Sequence, residues 1–335
     1  MSVRDFDTLA DDVAMVAATT KGAAVKNYYR VMLGRKSVHA QACFEGGFTG
    51  THFDIHEDLS DKLPETWRPF NAAYVPIYLK IHPDKSKVAA GLACGAIWTV
   101  SKGLRPGDVI LSPDGAGRYR VGEIKGEYWY AEGQILPHRR NVRWHDIYID
   151  RSAMSDALKN SAGSIGTVSN ISGHAQEIEA LIGGLPAPAA APVMTSEGLV
   201  EDPVAFGMEK HLEDFLVANW TQTELGRDFD IFTDEGEIVG QQYPTDTGAL
   251  DILAISKDRR RLLVVELKKG RASDAVVGQI LRYMGYVQDE LAEEGQTVEG
   301  AVIALDDDHR IRRALAMVPS VSFFRYKVSF QLLRT

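Results

Sequence analysis

One run, Gly183 to Gly198 (GGLPAPAAAPVMTSEG), limits the architecture more than any other stretch of this sequence. Prolines alternate with small residues, and almost nothing in it can fill a core. Such a composition favours extended, semi-rigid backbone and reads as a linker. It divides the 335 residues into residues 1–182, the linker 183–198 and residues 199–335. The total exceeds a typical single domain of roughly 100–200 residues, so two domains are the default. No internal repeat is evident.

Composition narrows the class. Apolar residues make up 45% and charged residues 25%, which is ordinary for a globular chain and excludes global disorder. The charge sum, 37 − 46 = −9, excludes a uniformly basic nucleic-acid coat. It leaves room for a local basic cleft, because binding depends on where charge sits. Two cysteines, Cys43 and Cys94, exclude a disulfide framework and a four-cysteine zinc site. His39, His52, His56 and His138 lack the spacing of a metal site and read as structural or polar contacts. No uncharged run approaches the roughly 20 apolar residues of a membrane span. Acids in MSVRDFD stand where a signal peptide would have its apolar core. A soluble cytoplasmic protein with no membrane partner is the expectation.

The first part opens with a helix-like segment, Phe6 to Thr19. Strands are expected at Tyr28–Leu33, Val109–Ser112, Tyr119–Ile124 and Val142–Trp144, punctuated by Pro113-Asp114-Gly115 and Gly126. Closely spaced strands with turn residues between them predict a small barrel or a strongly bent sheet. Met154–Lys159 and Ala175–Ile182 predict helices. In the second part, Glu209–Ala218 (EKHLEDFLVA) spaces Leu212, Phe215 and Leu216 on one helical face. Ala249–Ser256 and Arg261–Lys268 predict a strand hairpin around the polar turn Lys257–Arg260. A helix follows from Ser273 to Glu290, then a strand at Ala301–Leu305, a helix at Ile311–Met317 and strand-like residues from Val321 to Leu333. That order predicts an α/β sheet with helices packed on it.

Asp251, Glu266 and Lys268 carry the chemistry. Side chains alternate along a strand, so Glu266 and Lys268 share a face. Hairpin pairing can bring the Asp251 carboxylate close to Glu266. Two carboxylates and one ammonium at a sheet edge suit phosphodiester hydrolysis. A hard cation such as Mg2+, with Mn2+ as a substitute, prefers oxygen ligands and keeps waters. Asp251, Glu266 and a backbone carbonyl near Leu267 are the expected ligands, and Asp246 is the second choice for the aspartate. Such an ion polarises the phosphate and acidifies water. Lys268 would orient that water or stabilise charge on phosphorus. Gln279 and Tyr283, four apart, project from one helical face toward the site. Glu213 on the preceding helix offers a further carboxylate. Arg259, Arg260 and Arg261 make a basic turn, solvated or in contact with phosphate.

The D…ExK pattern followed by QxxxY resembles the PD-(D/E)xK nuclease superfamily. The run QQYPTDTGALDILAISKDRRRLLVVELKKGRASDAVVGQILRYMGYV resembles the catalytic domain of NucS-type endonucleases, a likeness running from about Glu209 to Leu333. The resemblance implies a restriction-endonuclease-like α/β sheet. It implies Asp251, Glu266 and Lys268 as the catalytic triad, Gln279 and Tyr283 as its support and Glu213 as the helix carboxylate. Leu250 stands where the motif often has proline.

In the first part, Pro106-Gly107-Asp108 makes a tight turn, with Asp108 a turn residue. The aromatic group Tyr128, Trp129 and Tyr130 and the basic His138-Arg139-Arg140 follow. This pattern resembles PUA-like domains of the EVE and related groups. YYRVMLGRKSVHAQACFEGGFTG is similar to modification-dependent restriction endonucleases that fuse such a domain to a nuclease. The implied fold is a PUA-like β-barrel with helices, making the whole an α/β and α+β chain of two domains. A reader that inspects a modified base takes it out of the stack into a pocket with aromatic walls. Trp98, Trp129 and Tyr130 are the candidate walls, and Arg35, Lys36, Arg139 and Arg140 the candidate phosphate grips. The expected activity is a metal-dependent endonuclease of double-stranded DNA carrying a modified, cytosine-type base. It would act as a homodimer to cut both strands. The alternatives are a NucS-like repair endonuclease for mismatched or branched DNA and a non-catalytic nucleic-acid-binding protein.

Overall fold

The computed structural model describes residues 26–163, 166–183, 193–194, 200–201, 212–234, 236–307 and 309–327. The expected helix Phe6–Thr19, most of the linker, the start of the helix expected at Glu209–Ala218 and the end of the strand-like run Val321–Leu333 lie outside them.

Two six-stranded sheets organise the chain. The first part runs β1 (Tyr28–Val31), α1 (Ala40–Gly46), β2 (Phe48–Thr51), α2 (Trp67–Ile81), α3 (Lys87–Trp98), β3 (Val109–Pro113), β4 (Arg118–Tyr130), β5 (His138–Asp150), α4 (Asp156–Ala162), β6 (Val168–Asn170) and α5 (Ala175–Ile182). Its strand order is β2-β5-β4-β3-β1-β6. Only β1 and β3 pair in parallel. The edge strands β2 and β6 are not paired to each other among the described residues. Register shifts between Arg120 and Gly122 and between Ile124 and Tyr128 bend the long β4–β5 hairpin. Gly122 permits the bend: a Cβ there would meet the Trp144 ring at 2.6 Å.

Helices α2 and α3 escape sequence periodicity for a physical reason. The α3 sequence, KVAAGLACGAIW, is apolar almost all round, so it has no polar face to define a 3.6-residue rhythm. Pro76 interrupts α2. Both faces of α3 are covered. Ala90, Ala93, Cys94 and Ile97 pack with Phe70 and Tyr74 of α2. Val88 joins the core of the second part with Tyr243 and Leu291. Ser86 caps the helix by accepting from the Ala89 amide at 3.2 Å.

In the second part, residues 212–218 are helical (α6). Then come β7 (Phe229–Ile231), β8 (Gln241–Thr245), β9 (Gly248–Ser256), β10 (Arg261–Arg271), α7 (Ala275–Tyr286), β11 (Thr297–Asp306), α8 (His309–Leu315) and β12 (Val321–Arg325). The order is β8-β9-β10-β11-β12, with β7 also on β9. Strands β8, β9 and β10 are antiparallel, and β10, β11 and β12 parallel. Leu253, Leu262, Val264 and Val302 pack with Ile280 and Met284 of α7. Ile252, Ala254, Leu263 and Val265 pack with Trp220 and, from α6, Leu212 and Leu216. The central strands are thus buried on both faces, which is why they read as near-continuous apolar runs. Glu266, 2% exposed in the middle of one such run, is the exception.

The two parts touch through specific contacts. The Tyr243 hydroxyl donates to the Val88 carbonyl at 3.2 Å, and Lys87 Nζ donates to the Ala292 carbonyl at 2.8 Å. Lys85 pairs with Asp234 at 2.6 Å, and Arg68 with Asp246 and Glu290 at 2.8 and 2.9 Å. No helix among the described residues is long and apolar enough to cross a membrane.

Candidate active site

Strand register builds the site. Ile252 pairs with Val265, so Asp251, one step back, stands across from Glu266. Gln241 pairs with Ile252 and Tyr243 with Leu250, so Gln242 stands across from Asp251. Directly opposed residues share a face. Gln242, Asp251 and Glu266 therefore form a row across β8, β9 and β10, on the face that Val264 turns toward α7.

Hydrogen bonds tie the row together. Gln242 Nε2 donates to Asp251 Oδ1 at 3.2 Å and also to Glu213 Oε2. Gln241 Nε2 donates to Glu213 Oε1 at 2.7 Å and to Asp214 Oδ1 at 2.9 Å. The two glutamines thus hold the buried α6 carboxylate of Glu213 beside Asp251. The Leu267 amide donates to Asp251 Oδ2 at 2.7 Å. Lys268 Nζ stands 3.0 Å from Glu266 Oε1, the lysine a quarter exposed and the glutamate buried. Gln242 has φ +50°, a left-handed conformation that costs a non-glycine residue energy.

From α7, Gln279 Nε2 reaches the Tyr283 hydroxyl at 3.5 Å. Burial pushes the Tyr283 hydroxyl pKa up, the Gln279 hydrogen bond pulls it back, and the charges of Glu266 and Asp251 raise it further. Tyr283 therefore faces the same cluster. Burial also pushes the Asp251 carboxyl well above its ordinary value, and the neighbouring charges of Glu266 and Glu213 add to the shift. The Leu267 amide and Lys268 offset this only in part.

Three neighbouring carboxylates, whose charges act on Asp251, with no histidine or cysteine among them, suit a hard divalent cation, which would relieve their repulsion. Mg2+ fits this donor set, and Mn2+ shares its preference. Asp251, Glu266 and Glu213 are the side chains that would hold it. Leu267 meets the cluster through its amide.

A stability signature follows. An acid whose folded pKa is raised contributes stability at low pH, and that stability is lost as pH rises from 3.8, the ordinary aspartate value, through the folded value. In chelator at neutral pH, Asp251→Asn should therefore melt above the wild type. The gap should close as pH falls toward the ordinary aspartate value. Saturating Mg2+ should reverse the order by stabilising only the wild type. Thermal melts across pH test this, and an asparagine variant melting lower at neutral pH in chelator would contradict it.

Other expected site residues stand elsewhere. Asp246 is bound to Arg68 and takes no part in the carboxylate row. In the basic turn, Arg259 and Arg260 are exposed, while Arg261 lies near Glu299 and over the Phe229 ring. Trp129 is 37% exposed and donates to Asn141 Oδ1 at 3.2 Å. Tyr130 lies against His138, with ring centres 5.3 Å apart. Trp98 donates to the Pro64 carbonyl at 3.0 Å and lines a cavity of about 890 Å³ between the two parts, with Tyr29, Trp67 and Tyr286. That cavity does not include Trp129 or Tyr130, so the three expected walls do not share it. Arg35 and Lys36 are exposed.

Arg139 and Arg140 correct the sequence expectation. Arg139 donates to the carbonyls of Leu136 and Ile135 and lies 3.8 Å from the Phe48 ring centre. Arg140, 2% exposed, donates to the carbonyls of Val100 and Gly126 and to Glu127. These guanidinium groups are engaged by the protein's own acceptors and brace the sheet instead of gripping phosphate. Asp108 is a turn residue, accepting from the amides of Asn27 and Arg105 at 3.0 and 2.9 Å. His52 and His56 depart from expectation in the other direction, since both converge on Asp54.

The glutamines Gln241 and Gln242 were not legible as site residues. Their signal was present in QQYPTDTGALD, because a tight hairpin between the two strands sets them opposite Ile252 and Asp251.

Residues 209–316 match the family described as Endonuclease NucS C-terminal domain, a range that contains every member of the cluster. The C-terminal part thus carries a NucS-like nuclease domain. Residues 29–172 match a family described as Domain of unknown function (DUF8426). No curated protein matches. Among solved structures, one described as "Structure of EndoMS-dsDNA2 complex" is 15% identical, covers 67% of this chain and 66% of its own, just under two-thirds, and has a TM-score of 0.30. A repair endonuclease from Pyrococcus abyssi is 13% identical, with 67% of each chain covered and a TM-score of 0.28. EndoMS in apo form is 19% identical, covering 36% of this chain and 45% of its own at a TM-score of 0.26.

Proposed function

We propose that this chain is a divalent-metal-dependent DNA endonuclease whose first part selects DNA carrying a modified, cytosine-type base. The observation that carries the nuclease reading is that Asp251 stands across the sheet from Glu266, that Gln242 bridges Asp251 to Glu213, and that Lys268 pairs with Glu266. A divalent cation, when bound by these carboxylates, would neutralise charge at the scissile phosphate and acidify water. Gln241 and Gln242 hold Glu213 against Asp251 and keep the carboxylates together. Glu266 orients the Lys268 ammonium, which donates hydrogen bonds to the phosphate or to the attacking water. Tyr283 and Gln279 bound the site from α7 and position DNA along it.

Selection of a modified base is supported by the exposed Trp129, whose ring is open to solvent, and by the exposed cations Arg35 and Lys36. One active site cuts one strand, so a double-strand break requires two copies, most simply a twofold homodimer. The NucS-like domain supports a second reading, cleavage of mismatched or branched duplex without any modified base.

The test is digestion of phage DNAs carrying different cytosine modifications, beside unmodified and mismatched duplexes, with Mg2+ or Mn2+ and an Asp251→Ala control. Preferred cutting of a modified DNA supports the first reading, and preferred cutting of the mismatched duplex supports the second. Equal cutting of modified and unmodified DNA would overturn modification dependence.

A further inference from the structure

A second cluster of ligating groups lies in the first part, away from the nuclease carboxylates. Strand β2 ends at Thr51, and the loop HFDIHEDL follows. Phe53 and Asp54 are consecutive non-glycine residues with φ +56° and +55°. Two such residues in a row persist only where the surroundings fix them. Here the surroundings do so. Ile55 is buried and its carbonyl bonds His138 Nε2 at 2.8 Å, while the Leu59 amide donates to the Tyr128 hydroxyl at 3.2 Å.

The reversal brings three donors to one point. Ligand atoms of His52, Asp54 and His56 all lie within 4.8 Å of one another. His52 Nδ1 is 3.3 Å and His56 Nε2 3.9 Å from the same oxygen, Asp54 Oδ1. The other oxygen, Oδ2, is 3.1 Å from His82 Nε2 at the end of α2. That His82 nitrogen is buried, with the Asp54 carboxylate beside it. His52, Asp54 and His56 are all open to solvent, so an ion can enter.

We infer that His52, Asp54 and His56 form a binding site for a zinc-class transition ion, with His82 a positioning residue that braces the far side of Asp54. Two imidazole nitrogens and one carboxylate oxygen are a donor set for zinc and its neighbours, whereas Mg2+ and Ca2+ take oxygen alone. Three protein ligands leave a further position for water or another ligand. The ion would fix the 52–56 turn, whose Asp54 also meets His82 at the end of α2, beside the aromatic group of Tyr128 and Tyr130. This inference does not depend on the nuclease reading.

The test uses the full chain, stripped by chelator and titrated with Zn2+ against a competing chromophoric chelator. The expected result is one zinc bound per chain and a higher melting temperature with zinc. His52→Ala and His56→Ala should each weaken binding by on the order of 100-fold, and His82→Ala by about 10-fold. His56→Cys, which keeps a zinc ligand, should restore most of the affinity. Glu266→Gln should leave zinc binding unchanged, separating this site from the carboxylate row. His56 is 66% exposed along its side chain, so its variants report on binding without disturbing the core. Failure to bind zinc in competition with the chelator, binding unchanged in the His52→Ala/His56→Ala variant, or loss of binding in Glu266→Gln would overturn the proposal.

Discussion

Glu266→Gln is expected to remove DNA cleavage, lowering kcat by on the order of 10³-fold or more, or about 4 kcal/mol of transition-state stabilisation. The substitution keeps the shape of the side chain and deletes one charge. That charge faces Asp251 across the sheet and holds Lys268 at 3.0 Å. On the proposed reading, its loss would take one carboxylate from the cation and release the ammonium from its orientation. The fold should survive, because the variant removes one charge from a crowded group: the folded Asp251 carboxyl already sits well above its ordinary value, and Glu266 is the first neighbouring charge behind that shift. A nicking assay at saturating Mg2+, with melting curves of both proteins, checks the two halves of this statement. Activity within tenfold of the wild type would remove Glu266 from the chemistry.

The largest effect on stability is expected at Tyr243, on the strand that carries Gln241 and Gln242. It is 1% exposed and packs in the core that spans the two parts. Its hydroxyl donates to the Val88 carbonyl of α3, and Gly91 leaves it room, since a Cβ there would stand 3.2 Å from the hydroxyl. Tyr243→Ala should cost about 3–5 kcal/mol, the range for truncating a buried aromatic side chain. Tyr243→Phe keeps the packing and removes one hydrogen bond to a carbonyl that α3 already pairs, so about 0.5–1.5 kcal/mol is expected. Denaturant unfolding measures both. Losses below about 1 kcal/mol for the alanine variant would mean that the contact between the parts contributes little.

These two sites show what a single sequence discloses. Glu266 and Lys268 were legible because an apolar strand interrupted by two charges of alternate spacing puts both on one face, and Asp251 because a hairpin can set it opposite. Gln279 and Tyr283 were legible from helical spacing. Gln241 and Gln242 needed strand register, which a sequence does not state. Helices α2 and α3 were missed because one carries a proline and the other lacks a polar face. Arg139 and Arg140 looked like surface cations, but β5 is covered by neighbouring elements, and backbone carbonyls there meet their donors. His52 and His56 lacked the spacing of a metal site and read as structural or polar contacts. The left-handed turn at Phe53 and Asp54 brings them together.

The most direct measurement is cleavage of a panel of duplex DNAs, unmodified, cytosine-modified and mismatched, by the intact chain in Mg2+ and again in excess chelator. At least one duplex should be cut in Mg2+, with cutting abolished by chelator and restored by Mn2+. If no duplex is cut with either ion, or if cutting proceeds unchanged in chelator, then Asp251, Glu266 and Glu213 do not form a metal-dependent hydrolytic centre.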